Sequence, residues 1–296
     1  MQRIKSFVLP VALVLGYIFR QECSALAVSV PYVIFGILAL TFSGVRLASL
    51  RPGRLDLWIA MFQTVVSAAV YMLAMGLTDD EIIAQGTMMC VLCPVASSVT
   101  VVASMLGANA ERTTTYTIVG NLLVALIAPI FISVIADAQD GAGLISTFPP
   151  ILGKVATVIA LPFAVMWTLQ RFAPRVNACL ARRKQWSFYL WAYALLVTIG
   201  QTADFVFMHL NENLKYVAWL GATSLVVCAL QFAIGKMIGR RYGDRIAGGQ
   251  LLAQKNSAMG IWMLNTFLNP VASVGMAFYS IWQNVYNSWQ IYRASR

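Results

Sequence analysis

Apolar residues dominate this chain and fall into ten long runs, separated by short polar stretches. A bilayer-spanning helix needs about 20 mainly apolar residues, and most of these runs are close to that length. The pattern therefore predicts an all-α membrane protein with ten transmembrane helices. The first run has no strong cleavage pattern at its end and is interpreted as a span, not a signal peptide. The predicted spans are 6–20, 26–44, 56–77, 81–107, 112–136, 147–171, 185–205, 215–236, 245–267 and 269–290.

The ninth run contains a polar cluster, formed by Gln250, Gln254, Lys255, Asn256 and Ser257. Polar and ionisable groups inside a membrane are costly and usually face a protein interior or a wet cavity. A helix that carries such a cluster is expected to be interrupted there, with freed backbone groups directed at a ligand. This feature favours transport over catalysis in water.

The fourth run has a matching feature, in which Pro94 is followed by Ser97, Ser98 and Thr100. Proline removes a helical hydrogen bond and clashes with the preceding turn. The hydroxyls that follow can coordinate a cation or satisfy the freed carbonyls. A simple proline kink without a ligand is the alternative. The matching interruption near Gln254 favours a ligand site.

Polar stripes occur on two other helical faces. Thr113, Thr117 and Asn121 are spaced i, i+4 and i+8 in the fifth run, and Gln63 and Ser67 are four residues apart in the third. Residues at such spacings share one face of a helix. Each stripe alone is compatible with helix–helix contacts. Together they offer many oxygen ligands and few carboxylates.

The charge pattern predicts the orientation in the membrane. The chain has 21 Lys and Arg against 11 Asp and Glu, a net charge of +10. Most basic residues lie near the termini and in alternate loops, around 46–54, 171–184 and 236–245. This is the positive-inside pattern. The pattern predicts a multi-pass protein of the inner (plasma) membrane with both termini in the cytoplasm. Because the positive charges follow the loops, it also argues against nucleic acid as a partner.

Ten spans divide into five plus five at the short link of residues 140–143. An odd number of spans in each half forces the halves into opposite orientations. This predicts two inverted repeats, residues 1–143 and 144–296, with a binding site between them near the membrane midplane.

The sequence lacks the patterns typical of an enzyme. Cys90 and Cys93 form a C-x-x-C, but no further Cys/His pair completes a metal site, so they are interpreted as small packing residues. The lone His209 is interpreted as a loop residue. There is no carboxylate pair or His cluster within a span and no P-loop. We therefore predict no catalytic residues and no cofactor beyond a possible sodium ion.

These motifs resemble the bile acid:sodium symporter (BASS) family. The residues from Pro94 to Thr100 occupy the position of a P-G-G-T-A-S-N-like pattern in the fourth span of that family. Gln250, Gln254, Lys255 and Asn256 occupy the position of its E-x-x-x-Q-N-S-G pattern in the ninth span, and Gln63 matches a third-span glutamine. The match extends over nearly the whole chain and suggests a divergent, bacterial-type member.

The resemblance implies a core domain of spans 3–5 and 8–10 and a panel domain of spans 1, 2, 6 and 7, with two broken helices crossing in the core. One sodium site would use Ser98 or Thr100 with Thr113, Thr117 and Gln250, with Ser97 nearby. A second site would use Gln63, Gln250 and Gln254. Asn121, Asn256 and Ser257 would face the substrate.

Two departures from the family pattern put sodium coupling in doubt. Gln250 replaces the family glutamate, and Lys255 brings a positive charge close by. At about 5 Å and an effective dielectric near 20, two unit charges repel by ~3 kcal/mol, which is roughly a hundredfold in affinity. The Lys255 ammonium is therefore interpreted either as a tethered cation that replaces one sodium, held by Gln63, Gln250 and crossover carbonyls, or as a counter-charge for an anionic substrate.

The sequence thus predicts a secondary active symporter of an organic anion, either bile-acid-like or a small carboxylate such as pantoate, working by alternating access in the lipid bilayer. Sodium coupling is expected to be altered or absent. The alternatives are a proton-coupled or uncoupled carrier, or a channel or sensor on the same fold. The substrate and the oligomeric state are not encoded in any pattern recognised in the sequence.

Overall fold

The computed structural model describes residues 11–294 except 13, 44, 46–49, 141, 142, 184 and 209, and only the backbone at 110, 111, 137–140, 205, 206 and 210–213. Several predictions therefore fall wholly or partly outside the described residues: the start of span 6–20, His209, part of the link at 140–143, and the charges of Arg3, Lys5, Arg46, Lys184 and Arg296.

The described residues are almost entirely helical, and residues 14–18 are already helical ahead of the first bounded element. The helices are α1 (Arg20–Leu26), α2 (Val30–Ser43), α3 (Arg54–Thr78), α4 (Glu81–Leu92), α5 (Val99–Met105), α6 (Ala110–Asp140), α7 (Leu144–Phe172), α8 (Pro174–Arg182), α9 (Trp186–Met208), α10 (Leu210–Arg241), α11 (Arg245–Ala253), α12 (Ser257–Phe267) and α13 (Ser273–Ala294). Short 3₁₀ turns join α1 to α2 at Ala27–Ser29 and precede α13 at Pro270–Ala272. Within the described ranges, β-structure is limited to one isolated bridge between Val95 and Lys255. The chain is an all-α membrane protein.

Five segments of the described chain are long and apolar enough to cross a bilayer. They are Arg20–Ser43, Arg54–Thr78, Arg112–Ala136, Leu144–Phe172 and Leu214–Arg241. The predicted fourth and ninth spans are each divided into two shorter helices, α4 with α5 and α11 with α12. The total of ten spans stays a prediction.

Two segments differ from the predicted connections. The link expected between the first two spans, residues 21–25, is helical and belongs to α1. Arg20 can lie within this helical region because its guanidinium is 3.7 Å from the buried Asp204 carboxylate and 3.9 Å from the Phe207 ring centroid. The basic loop near residue 175 also contains the short helix α8, which begins at Pro174, a residue well suited to the first helical turn.

Glycines allow α10 and α11 to approach each other very closely. Gly235 and Gly239 of α10 lie directly against Gly248 of α11, and a Cβ atom at any of these positions would collide with the backbone of the other helix. Small residues at such contacts are typical of packed membrane helices. This contact holds the half-helix α11 in place just ahead of the polar cluster.

Candidate functional site

The two interruptions cross each other in the core. Helix α4 ends at Leu92, immediately before Cys93 and Pro94, and α11 ends at Ala253. The extended residues that follow pair antiparallel, with Asn256 N donating to Pro94 O at 2.8 Å and Ala96 N donating to Gln254 O at 3.0 Å. Backbone groups within a membrane need internal partners, and here each break supplies partners to the other.

The carbonyls freed at the end of α4 and in the segment that follows it accept hydrogen bonds from side chains of other elements. Gln63 Nε2 donates to both Leu92 O at 2.7 Å and Cys93 O at 3.0 Å. The remaining donors are Gln231 Nε2 to Cys90 O, Lys255 Nζ to Val91 O, and Asn121 Nδ2 to Val95 O. Side chains from α3, α6, α10 and the second crossover segment thus meet at one helix end.

Lys255 is the charged member of this group. Its side chain is almost completely buried, since only 1% of the residue is exposed, and its Nζ lies 2.7 Å from Val91 O. The carbonyl end of a helix carries partial negative charge, which favours a cation. Among the described residues, ion pairs include Arg20 with Asp204 and Lys215 with Asp80, but none of the carboxylates pairs with Lys255.

The expected ligands of the ammonium have other partners. Gln63 donates to the carbonyls described above and accepts from Tyr116 Oη at 3.3 Å. Gln250 Nε2 donates to Asn287 Oδ1 at 2.8 Å. Of the predicted holders of Lys255, the structure therefore places only a crossover carbonyl against its ammonium.

Four amide oxygens around the crossover are buried without a hydrogen-bond donor among the described residues: Gln231 Oε1, Gln250 Oε1, Gln254 Oε1 and Asn121 Oδ1. The nitrogen of each amide is used, and that of Gln254 donates to Ser98 Oγ at 2.8 Å. Leaving a buried acceptor unpaired costs about 1–3 kcal/mol. Amide oxygens are also ligands of hard cations, so these atoms suit a cation without supplying a negative charge.

The hydroxyls of the predicted ion site are arranged along α5 and α6. Thr113 donates to Asn109 O and Thr117 donates to Thr113 O, each four residues earlier. Thr100 Oγ1 lies 3.3 Å from Thr114 Oγ1. Thr113 and Thr117 are buried, Ser97 and Thr100 are half-buried, and Ser98 is exposed. The predicted site residues therefore range from the protein interior to an accessible edge at Ser98.

The predicted substrate-facing residues are buried in the crossover. Asn256 Oδ1 accepts from Met259 N at the start of α12, and Ser257 Oγ accepts from Gln283 Nε2 at 3.1 Å. Asn121 Nδ2 also donates to Thr117 O. Their role toward a substrate stays a prediction.

Cys90 and Cys93 are free thiols buried among these groups. Cys93 Sγ donates to Asn256 O at 3.0 Å, and Cys90 Sγ donates to Gly86 O at 3.2 Å. Both side chains pack in the core at the crossover, as their apolar surroundings predict.

A comparison with protein families identifies the family of the chain. Residues 6–294 match the SBF-like CPA transporter family, whose members are related to the bile acid:sodium symporters. The chain belongs to this family. The resemblance stated from the sequence is thereby confirmed, and the protein is a membrane transporter of the SBF/CPA type. No curated protein matches the chain.

In this SBF-like transporter the last helix contributes residues that the sequence analysis missed. Ser280, Gln283, Asn287 and Gln290 follow one another at intervals of three, four and three residues, and all four are buried. Gln283 accepts from Lys255 N at 2.7 Å and donates to Lys255 O at 3.0 Å, so its amide holds the crossover segment as a paired strand would. The helical spacing of these polar residues is the signal that could have revealed them.

Proposed function

We propose that the protein is a secondary active transporter that moves an organic anion by alternating access. The proposal includes ten spans in two inverted halves, with both termini in the cytoplasm. It is supported above all by the crossing of α4–α5 with α11–α12, because two interrupted helices at equivalent positions of two halves are typical of transporters that bind ligand at the midplane.

In this proposal the Lys255 ammonium acts as a resident cation at the crossover. Its burial, its bond to Val91 O and the partial negative charge at the end of α4 support this role. A dissolved ion would have to exchange its hydration water for protein oxygens each time it binds at this point. The tethered ammonium is instead placed there once, when the protein folds. The transporter would then need one fewer dissolved cation for each cycle.

A second, weaker cation position is proposed at the unpaired oxygens of Gln250, Gln254 and Asn121. The position has neutral ligands, because Gln250 stands where the family resemblance implies glutamate. We therefore expect sodium to bind at high concentration and to stimulate transport modestly. The alternative to such coupling is a proton-coupled or uncoupled carrier.

Packing around the two half-helices supports a state that is closed on the outer side. Helix α12 packs against α9 and α2 of the proposed panel, where Ala258 contacts a cluster that includes Ile37 and Ala194. Helix α5 packs on α6 and α11 and leaves Ser98 and Val101 exposed. Because α5 leads toward the predicted cytoplasmic side, this asymmetry fits an opening on that side.

Uptake into proteoliposomes tests the proposal. Radiolabelled cholate and pantoate would be supplied separately, with an inward sodium gradient, an inward proton gradient or neither. We expect saturable uptake of one anion. Sodium should raise the uptake rate by less than about tenfold, because the missing carboxylate charge weakens sodium binding by about this factor or more and leaves the site only partly occupied. Strong dependence on sodium would contradict the resident-cation role of Lys255. Non-saturating flux would favour a channel, and no uptake of either anion would contradict the proposed substrate class.

A further inference from the structure

Lys236 begins a chain of side-chain hydrogen bonds that ends at Gln250. Its Nζ donates to Gln290 Oε1 at 2.6 Å, and Gln290 Nε2 donates to Asn287 Oδ1 at 3.3 Å. Gln250 Nε2 donates to the same Asn287 oxygen at 2.8 Å. The three amide residues are buried, while Lys236 is half-buried near the end of α10. A partly accessible cation is thus connected to the crossover through two intervening amides.

The chemistry of these groups gives the chain a direction. An amide can present either its oxygen or its nitrogen to a neighbour, but an ammonium can only donate. Lys236 therefore requires the oxygen of Gln290, which turns the nitrogen of Gln290 toward Asn287. Asn287 must then present its oxygen, and Gln250 its nitrogen. Reversing all three amides would set two donors against each other at the contact between Lys236 and Gln290, so the lysine selects one of the two orientations.

We propose that Lys236 is a positioning residue that sets the orientation of the Gln250 amide and keeps Gln250 Oε1 available to a cation. The inference rests on the proposed function, in which Gln250 contributes to cation binding. Gln250 is only 1% exposed, and its Oε1 has no donor among the described residues. Asn287 Nδ2 is also unpartnered there, as expected if this residue acts only through its oxygen.

Packing holds the Lys236 side chain in the required place. Its aliphatic part lies against Gly249, where an added Cβ atom would come within 2.7 Å of Lys236 Cγ. Its Nζ also donates to Tyr286 Oη at 3.0 Å and lies 5.0 Å from the centre of that ring. The lysine is therefore fixed by the glycine next to Gln250 on one side and by α13 on the other.

Sodium titrations of thermal unfolding in detergent can separate orientation from simple anchoring. Lys236→Arg keeps a donor-only group, whereas Lys236→Met removes the donor. Gln290→Glu keeps the acceptor for Lys236 but has no donor for Asn287. We expect Lys236→Arg and the distant control Lys215→Met to match the wild type. We expect Lys236→Met and Gln290→Glu to raise the sodium concentration for half-maximal stabilisation about tenfold, the effect of one misdirected ligand worth ~1.4 kcal/mol.

The Gln290→Glu variant gives the decisive contrast. If Lys236 only anchors α10 to α13, the new ion pair preserves the anchor and the sodium response stays at the wild-type value, which overturns the proposal.

A second experiment applies if the wild type shows no sodium response, a result that would contradict the proposed cation site. The relay, meaning the chain of hydrogen bonds from Lys236 through Gln290 and Asn287 to Gln250, is then tested without the ion. Melting temperatures of Lys236→Met, Gln250→Leu and the double variant should then be non-additive, because the relay links two side chains through intervening groups. Additive shifts would overturn it.

Discussion

The Lys255 ammonium donates a 2.7 Å hydrogen bond to the carbonyl of Val91, 164 positions earlier in the chain. The same residue pairs through its backbone with Val95 and with the amide of Gln283. Lys255 therefore joins the end of one half-helix to the interruption of the other with both its side chain and its main chain. Because of this double connection, substitutions of Lys255 and its partners test how the crossover binds a cation.

Removing the ammonium should open a cation position. In Lys255→Ala, sodium can approach Val91 O and is no longer repelled by a buried charge. We expect the variant to show a larger sodium-dependent rise in melting temperature than the wild type, with potassium as the ionic-strength control. Lys215→Ala is the matched control, because it removes an exposed lysine that pairs with Asp80. An identical sodium response in Lys255→Ala and wild type would count against the resident-cation role.

The Gln63 amide should be important for stability because one nitrogen serves two carbonyls. Gln63→Leu leaves Leu92 O and Cys93 O without this donor. We expect the free energy of unfolding to fall by about 2 kcal/mol, the cost of a buried acceptor left unpaired. Unfolding in mixed detergent micelles measures the change. Thr64→Val is the control, because within the described part of the chain the Thr64 hydroxyl bonds to Ala60 O of its own helix and not to the crossover. Equal losses in both variants would show that the crossover carbonyls do not need Gln63.

The contact between α10 and α11 predicts a sharp difference between two glycine substitutions. A Cβ at Gly235 would collide with the Gly248 carbonyl, whereas a Cβ at Gly153 of α7 meets nothing within 4 Å. Gly235→Ala should force the helices apart and destabilise the protein by about 1–3 kcal/mol. Gly153→Ala should stabilise it by roughly 0.5–1 kcal/mol, because alanine favours the helix. Melting temperatures that shift in the same direction would contradict this packing.

A disulfide on the proposed outer side should stop transport. Thr202 Oγ1 of α9 lies 2.8 Å from Ser273 Oγ of α13, across the boundary between the proposed panel and core. Thr202→Cys with Ser273→Cys, in a Cys179→Ser background that removes the exposed native thiol, places two sulfurs at this contact. We expect oxidation to abolish anion uptake and reduction to restore it. Each single cysteine variant should transport under both conditions. Full activity of the cross-linked protein would contradict alternating access at this boundary.

Part of the site follows from local sequence. Pro94 predicts an interruption, and α4 ends at Leu92 because proline cannot continue the backbone hydrogen bonding. The spacing of Thr113, Thr117 and Asn121 places them on one face, and Thr117 indeed bonds to the carbonyl of Thr113 and Asn121 to that of Thr117. These relations depend on residues within one or two helical turns, so periodicity and backbone chemistry are enough to infer them.

The partners of the amides do not follow from local sequence. Gln63 was expected to hold Lys255, but it bonds to Leu92 and Cys93, while Gln283 and Asn287 were not recognised. An amide donates and accepts equally well, so its sequence position does not specify a partner. The polar spacing on α13 reveals that this face is buried, but not which group it meets.

The sequence by itself determined a membrane protein with interrupted fourth and ninth segments and some of the residues that enter the crossover, because apolar run length, proline and helical spacing act locally. Only the tertiary structure decided that Lys255 reaches Val91, and that hydrogen bonds connect the donor-only Lys236 to Gln250 through Gln290 and Asn287. The physical reason is that an ammonium has many acceptors to choose from, and the packing of distant helices selects the one within reach.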